Sequence, residues 1–203
     1  MSDMVRKASV GEIINHWIMA ISCILLIITG YAFVFKLEQV YAIFGSNTAM
    51  RVAHNWAGVI FTASLAATMF NYLQECLSFD ADDWAWIKIG GGYLSRKPVK
   101  APPMGKLNTG QKLYYLGILI AGAAIAVSGF SIWLMQGNRS LTLVSHLMHN
   151  LAFIFYVVGV PAHAYLGTLA NPGTFRIMVY GTVPMEFARK KYPKWIKDME
   201  TKR

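Results

Sequence analysis

The chain has 203 residues, 55% of them hydrophobic and only 14% charged, with a mean hydropathy of +0.40; soluble domains carry about 25% charge. That balance excludes an ordinary soluble globule and argues against disorder and nucleic-acid binding. The net charge of +9, from 19 Lys and Arg against 10 Asp and Glu, is therefore read first as membrane topology rather than as the mark of an acidic partner.

Four apolar runs, at about 14–35, 52–73, 113–135 and 147–170, predict an all-α membrane protein with four transmembrane helices forming one bundle domain over residues 1–203. Each run holds about twenty residues or slightly more, enough to cross a hydrocarbon core of about 30 Å at about 1.5 Å per residue. The runs lack the alternation of a membrane strand, so helices are the expected spanning form. The first run follows Arg6 and Lys7, as in a signal peptide, but it is too long for a typical leader core, and Gly30-Tyr31-Ala32 only loosely resembles a cleavage site.

Between the second and third runs, about 80–95, Trp84, Trp86, Ile87, Ile89 and Tyr93 predict an interfacial helix on the cytoplasmic face that ends near Gly90-Gly91-Gly92. Asp80, Asp82 and Asp83 precede it and read as its N-terminal cap rather than as a metal cluster. Pro98, Pro102 and Pro103 then mark an extended connection, and residues 171–203 form a basic tail. Two basic residues precede the first span, six lie between spans two and three, eight lie in the tail, and only Lys36, Arg51 and Arg139 lie in the opposite loops. The positive-inside rule thus places both termini in the cytoplasm of a bacterial inner-membrane protein, its basic face toward anionic lipid.

Cys23 and Cys76 fall in or beside apolar runs and read as small packing residues. No CxxC or CxxCH occurs, which excludes the usual c-type haem attachment and the common zinc and iron–sulfur patterns. The chemistry is concentrated in His16, His54, His146, His149 and His163, all within or at the ends of apolar runs. Ionisable groups at membrane depth are costly and mark function by default. By depth, His16 and His163 fall near the cytoplasmic face and His54 and His149 near the outside. His149 and His163 are fourteen residues apart, which puts them about 40° apart in direction and about 21 Å apart along one helix. His146 would point about 100° away from His163, so His149 is the expected ligand and His146 a loop or supporting residue. Two imidazoles facing each other across a helix bundle can hold a haem, whereas zinc would need further ligands. Gly58, one turn after His54, and Gly122 and Gly129 in span three read equally as room for a porphyrin edge or as close helix packing. Pro161 is expected to kink span four or free a backbone carbonyl near His163.

With Asn15-His16-Trp17, Val52-Ala53-His54, Leu147-Met148-His149, His163, the GKxNxGQK segment from Gly105 to Lys112 and the tail from Ala188 to Trp195, the chain resembles the cytochrome b (gamma) subunits of respiratory membrane-bound formate dehydrogenases. The resemblance implies two haem b groups, one on His54 and His149 and one on His16 and His163, in agreement with the pairing by depth. It also implies a quinone site at Asn108, Gly110, Gln111 and His163, with menaquinone or ubiquinone as acceptor. Asn108 or Thr109 can equally be the N-cap of the third span. No obvious Asp or Glu sits beside that site, so protons are expected to arrive by water from the cytoplasm. The implied partners are a periplasmic iron–sulfur (beta) subunit and a molybdenum- or tungsten-containing (alpha) subunit that oxidises formate, assembled as a possible trimer of heterotrimers. The related cytochrome b subunits of nickel-iron hydrogenases and thiosulfate or polysulfide reductases, a haem-free anchor or transporter, and a stand-alone transmembrane cytochrome are the competing readings.

Overall fold

The computed structural model describes residues 3–92, 99–135 and 137–201. Tyr93, assigned above to the interfacial helix, and four of the basic residues used for topology, Arg96, Lys97, Lys202 and Arg203, lie outside the described residues. In chain order the elements are β1 (Met4–Arg6), α1 (Val10–Phe35), α2 (Glu38–Ile43), α3 (Asn47–Leu77), α4 (Ala81–Lys88), α5 (Thr109–Leu134), α6 (Arg139–Gly167), α7 (Phe175–Tyr180), β2 (Thr182–Pro184), α8 (Met185–Lys191) and α9 (Pro193–Thr201).

Four of these helices, α1, α3, α5 and α6, are long and apolar enough to cross a membrane. Their N-terminal ends reach four to eight residues beyond the apolar runs, because each has a polar cap. Ser9 accepts from Glu12 N, Ser46 from Ala49 N, Asn108 from Gln111 N and Asn138 from Leu141 N. Such caps satisfy backbone donors that a helix end would otherwise leave open, so the helix continues past the apolar stretch into polar surroundings. The early start of α6 also brings His146 into the helix rather than a loop.

Helix α1 packs along α3, α5 along α6, and α3 against α5, while α1 and α6 touch only sparsely. Cys23, Phe61, Leu65 and Tyr156 form the centre of this bundle, with Met19, Leu26, Ile118 and Ile125 around them. Facing outward are stripes at helical spacing, Ile14, Ile18, Ile21 and Ile28 on α1 and Leu147, Leu151, Ile154 and Val158 on α6, all exposed. A continuous apolar surface of this kind suits lipid and would drive aggregation in water. Cys23 and Cys76 are both free and buried, as packing residues. Helix α6 runs unbroken through Pro161.

The basic tail is built into the fold. β1 pairs antiparallel with β2, Val5 opposite Val183, and these two join Ala8, Ile177, Ala188 and Ile196 in a second apolar core. Gly181 makes the turn possible: its φ is +71°, and a Cβ there would run into the Ala8 carbonyl, whose neighbours Lys7 N and Ala8 N donate to Gly181 O at 2.7 and 3.1 Å. Trp17 Nε1 donates to Met178 O at 2.8 Å, tying α1 to α7.

The helix expected over 80–95 is α4, which is shorter than that range. Asp80 caps it, accepting from Asp82 N and Asp83 N, while the Asp83 carboxylate in turn accepts from Asp80 N. The other carboxylates are clamps. Lys112 Nζ bonds Asp83 Oδ2 at 2.7 Å and Ser78 O at 2.6 Å, Thr109 Oγ1 donates to Asp83 Oδ1 at 2.7 Å, and Lys194 reaches Asp80 at 2.7 Å as well as Asp82. The N-terminus, the segment between α3 and α5 and the tail therefore meet at one end of the bundle, called here the terminal end.

Candidate functional site

The four ligand-candidate histidines come together as two pairs. His54 on α3 faces His149 on α6 with ring centres 6.4 Å apart, and His16 on α1 faces His163 on α6 with ring centres 6.3 Å apart. One face of α6 thus carries one member of each pair, His163 toward the terminal end. His146 is exposed and belongs to neither.

Hydrogen bonds decide which nitrogen each ring of the first pair offers. Thr29 Oγ1 on α1 gives its own proton to Leu25 O at 2.7 Å, so it meets His54 Nδ1, 2.7 Å away, as an acceptor. His54 therefore carries its proton on Nδ1 and leaves Nε2 bare. His149 reaches the same state through α5. Its Nδ1 lies 3.2 Å from Ile125 O, which can only accept, and 3.1 Å from Ser128 Oγ, which donates to Ala124 O at 2.6 Å. Support of this kind orients a metal-bound imidazole and raises its basicity. In the second pair, Tyr114 of α5 stacks on His163 at 4.9 Å with planes 5° apart, and its hydroxyl bonds Gly159 O at 3.2 Å. His16 Nδ1 is buried without a hydrogen-bond partner among the described residues.

These residues fit haem. Two metal–imidazole bonds of about 2 Å, with each ring extending about 1 Å further to its centre, give a separation of about 6 Å, as both pairs have. Among the described residues, no three His, Cys, Asp or Glu gather to hold a metal ion. Tetrahedral zinc needs that many protein ligands, whereas a porphyrin brings four nitrogens and asks only for two axial ones. The glycines divide. A Cβ on Gly58 would meet nothing within 4 Å, one on Gly129 would touch His149 Cε1 at 3.1 Å, and one on Gly122 would strike Leu65 and the Tyr156 hydroxyl. Gly58 therefore leaves room beside His54, Gly129 lets the His149 ring lie close to α5, and Gly122 serves helix packing.

The segment before α5 is the cap that its sequence allowed. Asn108 Oδ1 accepts from Gln111 N at 2.8 Å, and Gln111 Oε1 accepts from Asn108 N at 2.9 Å. Capping uses both amide oxygens and leaves both amide NH2 groups as donors. A Cβ on Gly110 would lie 3.0 Å from the Trp86 ring, so its bareness seats α4 against α5. Contrary to the sequence reading, carboxylates do adjoin this segment: Leu107 N donates to Glu75 Oε1 at 3.2 Å, and Lys106 Nζ is 4.0 Å from Glu12 Oε1. These two and Asp83, which bonds Thr109 and Lys112, come from other helices, so proximity in the chain could not reveal them. Thr29, Ser128 and Tyr114 escaped for the same reason, although hydroxyls in apolar spans are a general signal of interhelical bonding.

A four-span helical bundle with two facing imidazole pairs is an arrangement suited to a membrane cytochrome. The chain belongs to the prokaryotic cytochrome b561 family, whose model matches residues 7–181. It is 28% identical over 202 residues to the formate dehydrogenase cytochrome b556(fdo) subunit of Escherichia coli strain K12, covering 97% of this chain and 94% of that one. It is 24% identical over 204 residues to the nitrate-inducible formate dehydrogenase cytochrome b556(Fdn) subunit of the same strain, covering 98% and 93%. The formate dehydrogenase cytochrome b556 subunit of Haemophilus influenzae is 23% identical over 190 residues, covering 91% and 79%.

Proposed function

We propose that the chain is the membrane-anchoring di-haem cytochrome b subunit of a formate dehydrogenase, carrying electrons from a periplasmic iron–sulfur subunit to a quinone at the cytoplasmic side. The observation that carries this reading is the two imidazole pairs at opposite depths on one face of α6, in a chain matched almost end to end by formate dehydrogenase cytochromes. His54 and His149 would hold the outer haem, and His16 and His163 the inner one. When bound, the haems supply one-electron redox chemistry. The protein supplies bare Nε2 atoms held in place by Thr29 and Ser128, and an apolar layer to exclude water between the sites. Tyr156 of that layer is seven residues from each α6 ligand and packs on Phe61 at 5.5 Å.

Menaquinone or ubiquinone would accept the electrons beside His163, where the amide donors of Asn108 and Gln111 can bond a quinone oxygen and Gly110 lets α4 close over the segment. The basic residues gathered at the terminal end support a cytoplasmic placement of both termini in the inner membrane. Formate oxidation belongs to a molybdenum- or tungsten-containing partner, in a complex that can be a trimer of heterotrimers.

The test is a haem-to-protein ratio with reduced-minus-oxidised spectra on the detergent-purified complex, adding formate and then a quinone. Two b haems per chain, reduced by formate and reoxidised by quinone, are expected. Two haems indifferent to formate would transfer the chain to another donor, such as a hydrogenase or a polysulfide reductase; no haem would overturn the reading.

A further inference from the structure

Glu12 and Glu75 are the two acidic residues in the four long helices, and both stand at the terminal end. Glu12 precedes His16 by one helical turn, and at about 100° per residue the two side chains leave α1 about 40° apart. One carboxylate oxygen of Glu12 closes the α1 capping box, accepting from Ser9 N at 2.6 Å. The other is engaged by groups that can exchange protons. Tyr72 of α3 donates its hydroxyl to Oε1, and Lys106 Nζ lies 4.0 Å from the same oxygen. The Glu12 side chain is 19% exposed and that of Lys106 31%, so the pair sits at the edge of water. Inward, the Tyr72 ring contacts Tyr115 of α5 at 5.6 Å, beside the Tyr114 that stacks on His163. Along the chain, Lys106 leads within two residues to Asn108.

A cap alone does not account for this arrangement, because capping occupies a single oxygen. The second oxygen joins the water-facing Lys106 to a tyrosine inside the bundle, next to the segment assigned to quinone. An ionisable group kept at the membrane edge in such a position is functional by default.

We propose that Glu12, oriented by Tyr72 and opening to water beside Lys106, is the proton-transfer group for quinone reduction; the proposal rests on the reading of the chain as a quinone-reducing cytochrome. Reduction of quinone to quinol takes two electrons, which formate supplies through the partner subunits, and two protons. For each proton, cytoplasmic water protonates the Glu12 carboxylate. The Glu12 O–H bond then breaks as an O–H bond forms at the quinone, directly or through water, and the carboxylate is restored. The titratable and charged groups around this path are His16 on α1, Tyr72 and Glu75 on α3, Tyr115 on α5, Lys106 and, beside Lys106, Lys7.

The experiment uses the purified complex with its partner subunits. Glu12→Gln keeps one oxygen, which can still close the capping box with Ser9 N, and puts an amide NH2 in place of the oxygen that faces Tyr72 and Lys106, removing the charge and the exchangeable proton. The expected result is wild-type haem content and wild-type haem reduction by formate, with quinone reduction slowed at least about tenfold and its pH dependence flattened. Redox-difference infrared spectra should lose one carboxyl band, and Glu12→Asp should recover part of the rate. Wild-type turnover and an unchanged pH profile in Glu12→Gln would overturn the proposal. Should Glu12→Gln lose haem, Tyr72→Phe decides: slowed turnover with full haem supports the relay, and wild-type turnover overturns it. A wild-type complex that reduces no quinone with formate would overturn the underlying reading, and the proposal with it.

Discussion

One hydroxyl group sets the chemistry of His54. Thr29 has already given its proton to Leu25 O, so it can only accept from Nδ1, and the bare lone pair of His54 is left on Nε2. Thr29→Val keeps the shape of the side chain and removes the acceptor. The variant is expected to hold the haem proposed for the His54–His149 pair about tenfold more weakly than the one proposed for His16 and His163, read as haem per chain after detergent washing. Ser128→Ala should do less, since the Ile125 carbonyl still accepts from His149 at 3.2 Å. The histidine spacing on α6 was legible in the sequence because the helical period is a constant of the backbone. The role of Thr29 was not, because it lies on α1, 25 residues from His54, and only the packing of α1 on α3 brings the two together.

Among the elements, α4 shows how polar residues are divided between local and tertiary tasks. Asp80 caps the helix, a task visible in the sequence because a cap lies within three residues of its partners. Asp83 reaches 29 residues along the chain to Lys112 and 26 to Thr109, with 7% of its side chain exposed. Burial alone would raise its carboxyl, but the bonds from Lys112 and Thr109 hold it below the usual aspartate value of 3.8. Its stabilisation is therefore present above that value and lost as pH falls through the lower folded one. Asp83→Ala strands the Lys112 ammonium and should cost about 3 kcal/mol, with faster proteolysis between α3 and α5. The double change Asp83→Ala, Lys112→Met should recover most of that loss. The same distinction governs Asn108, whose cap was legible and whose spare amide donors became apparent only once both amide oxygens were seen to be engaged.

At the scale of the whole molecule, the N-terminal strand and the tail form a clasp. Lys7 lies inside it, 7% exposed, with Nζ 3.0 Å from the centre of the Tyr192 ring and no hydrogen-bond partner among the described residues. Burial, together with Lys191 and Lys106, pushes its ammonium down from 10.5 to about 6. Between those values the unfolded chain binds a proton that the folded one does not, so clasp stability rises with pH across that window. Lys7→Met should remove this slope and stabilise the clasp by about 2 kcal/mol at pH 7, measured as hydrogen-exchange protection of Val5 and Ala8. The clasp was invisible in the sequence, which read residues 171–203 only as a basic tail, because three-residue strands carry no periodicity and their pairing spans almost the whole chain.

The amino-acid sequence alone was enough for the four spans, for the caps at Asp80 and Asn108, and for the histidine positions on α6. All of these follow from short-range rules: the apolar length needed to cross a bilayer, hydrogen bonds within one turn, and a helical repeat. Helix packing was needed to bring those paired imidazoles to 6.3 and 6.4 Å, to set the hydroxyls that hold their protons, to join Glu12 to Tyr72 and Lys106, and to clasp the two ends of the chain. Those contacts join residues distant in the chain, and nothing local dictates them until the helices have packed.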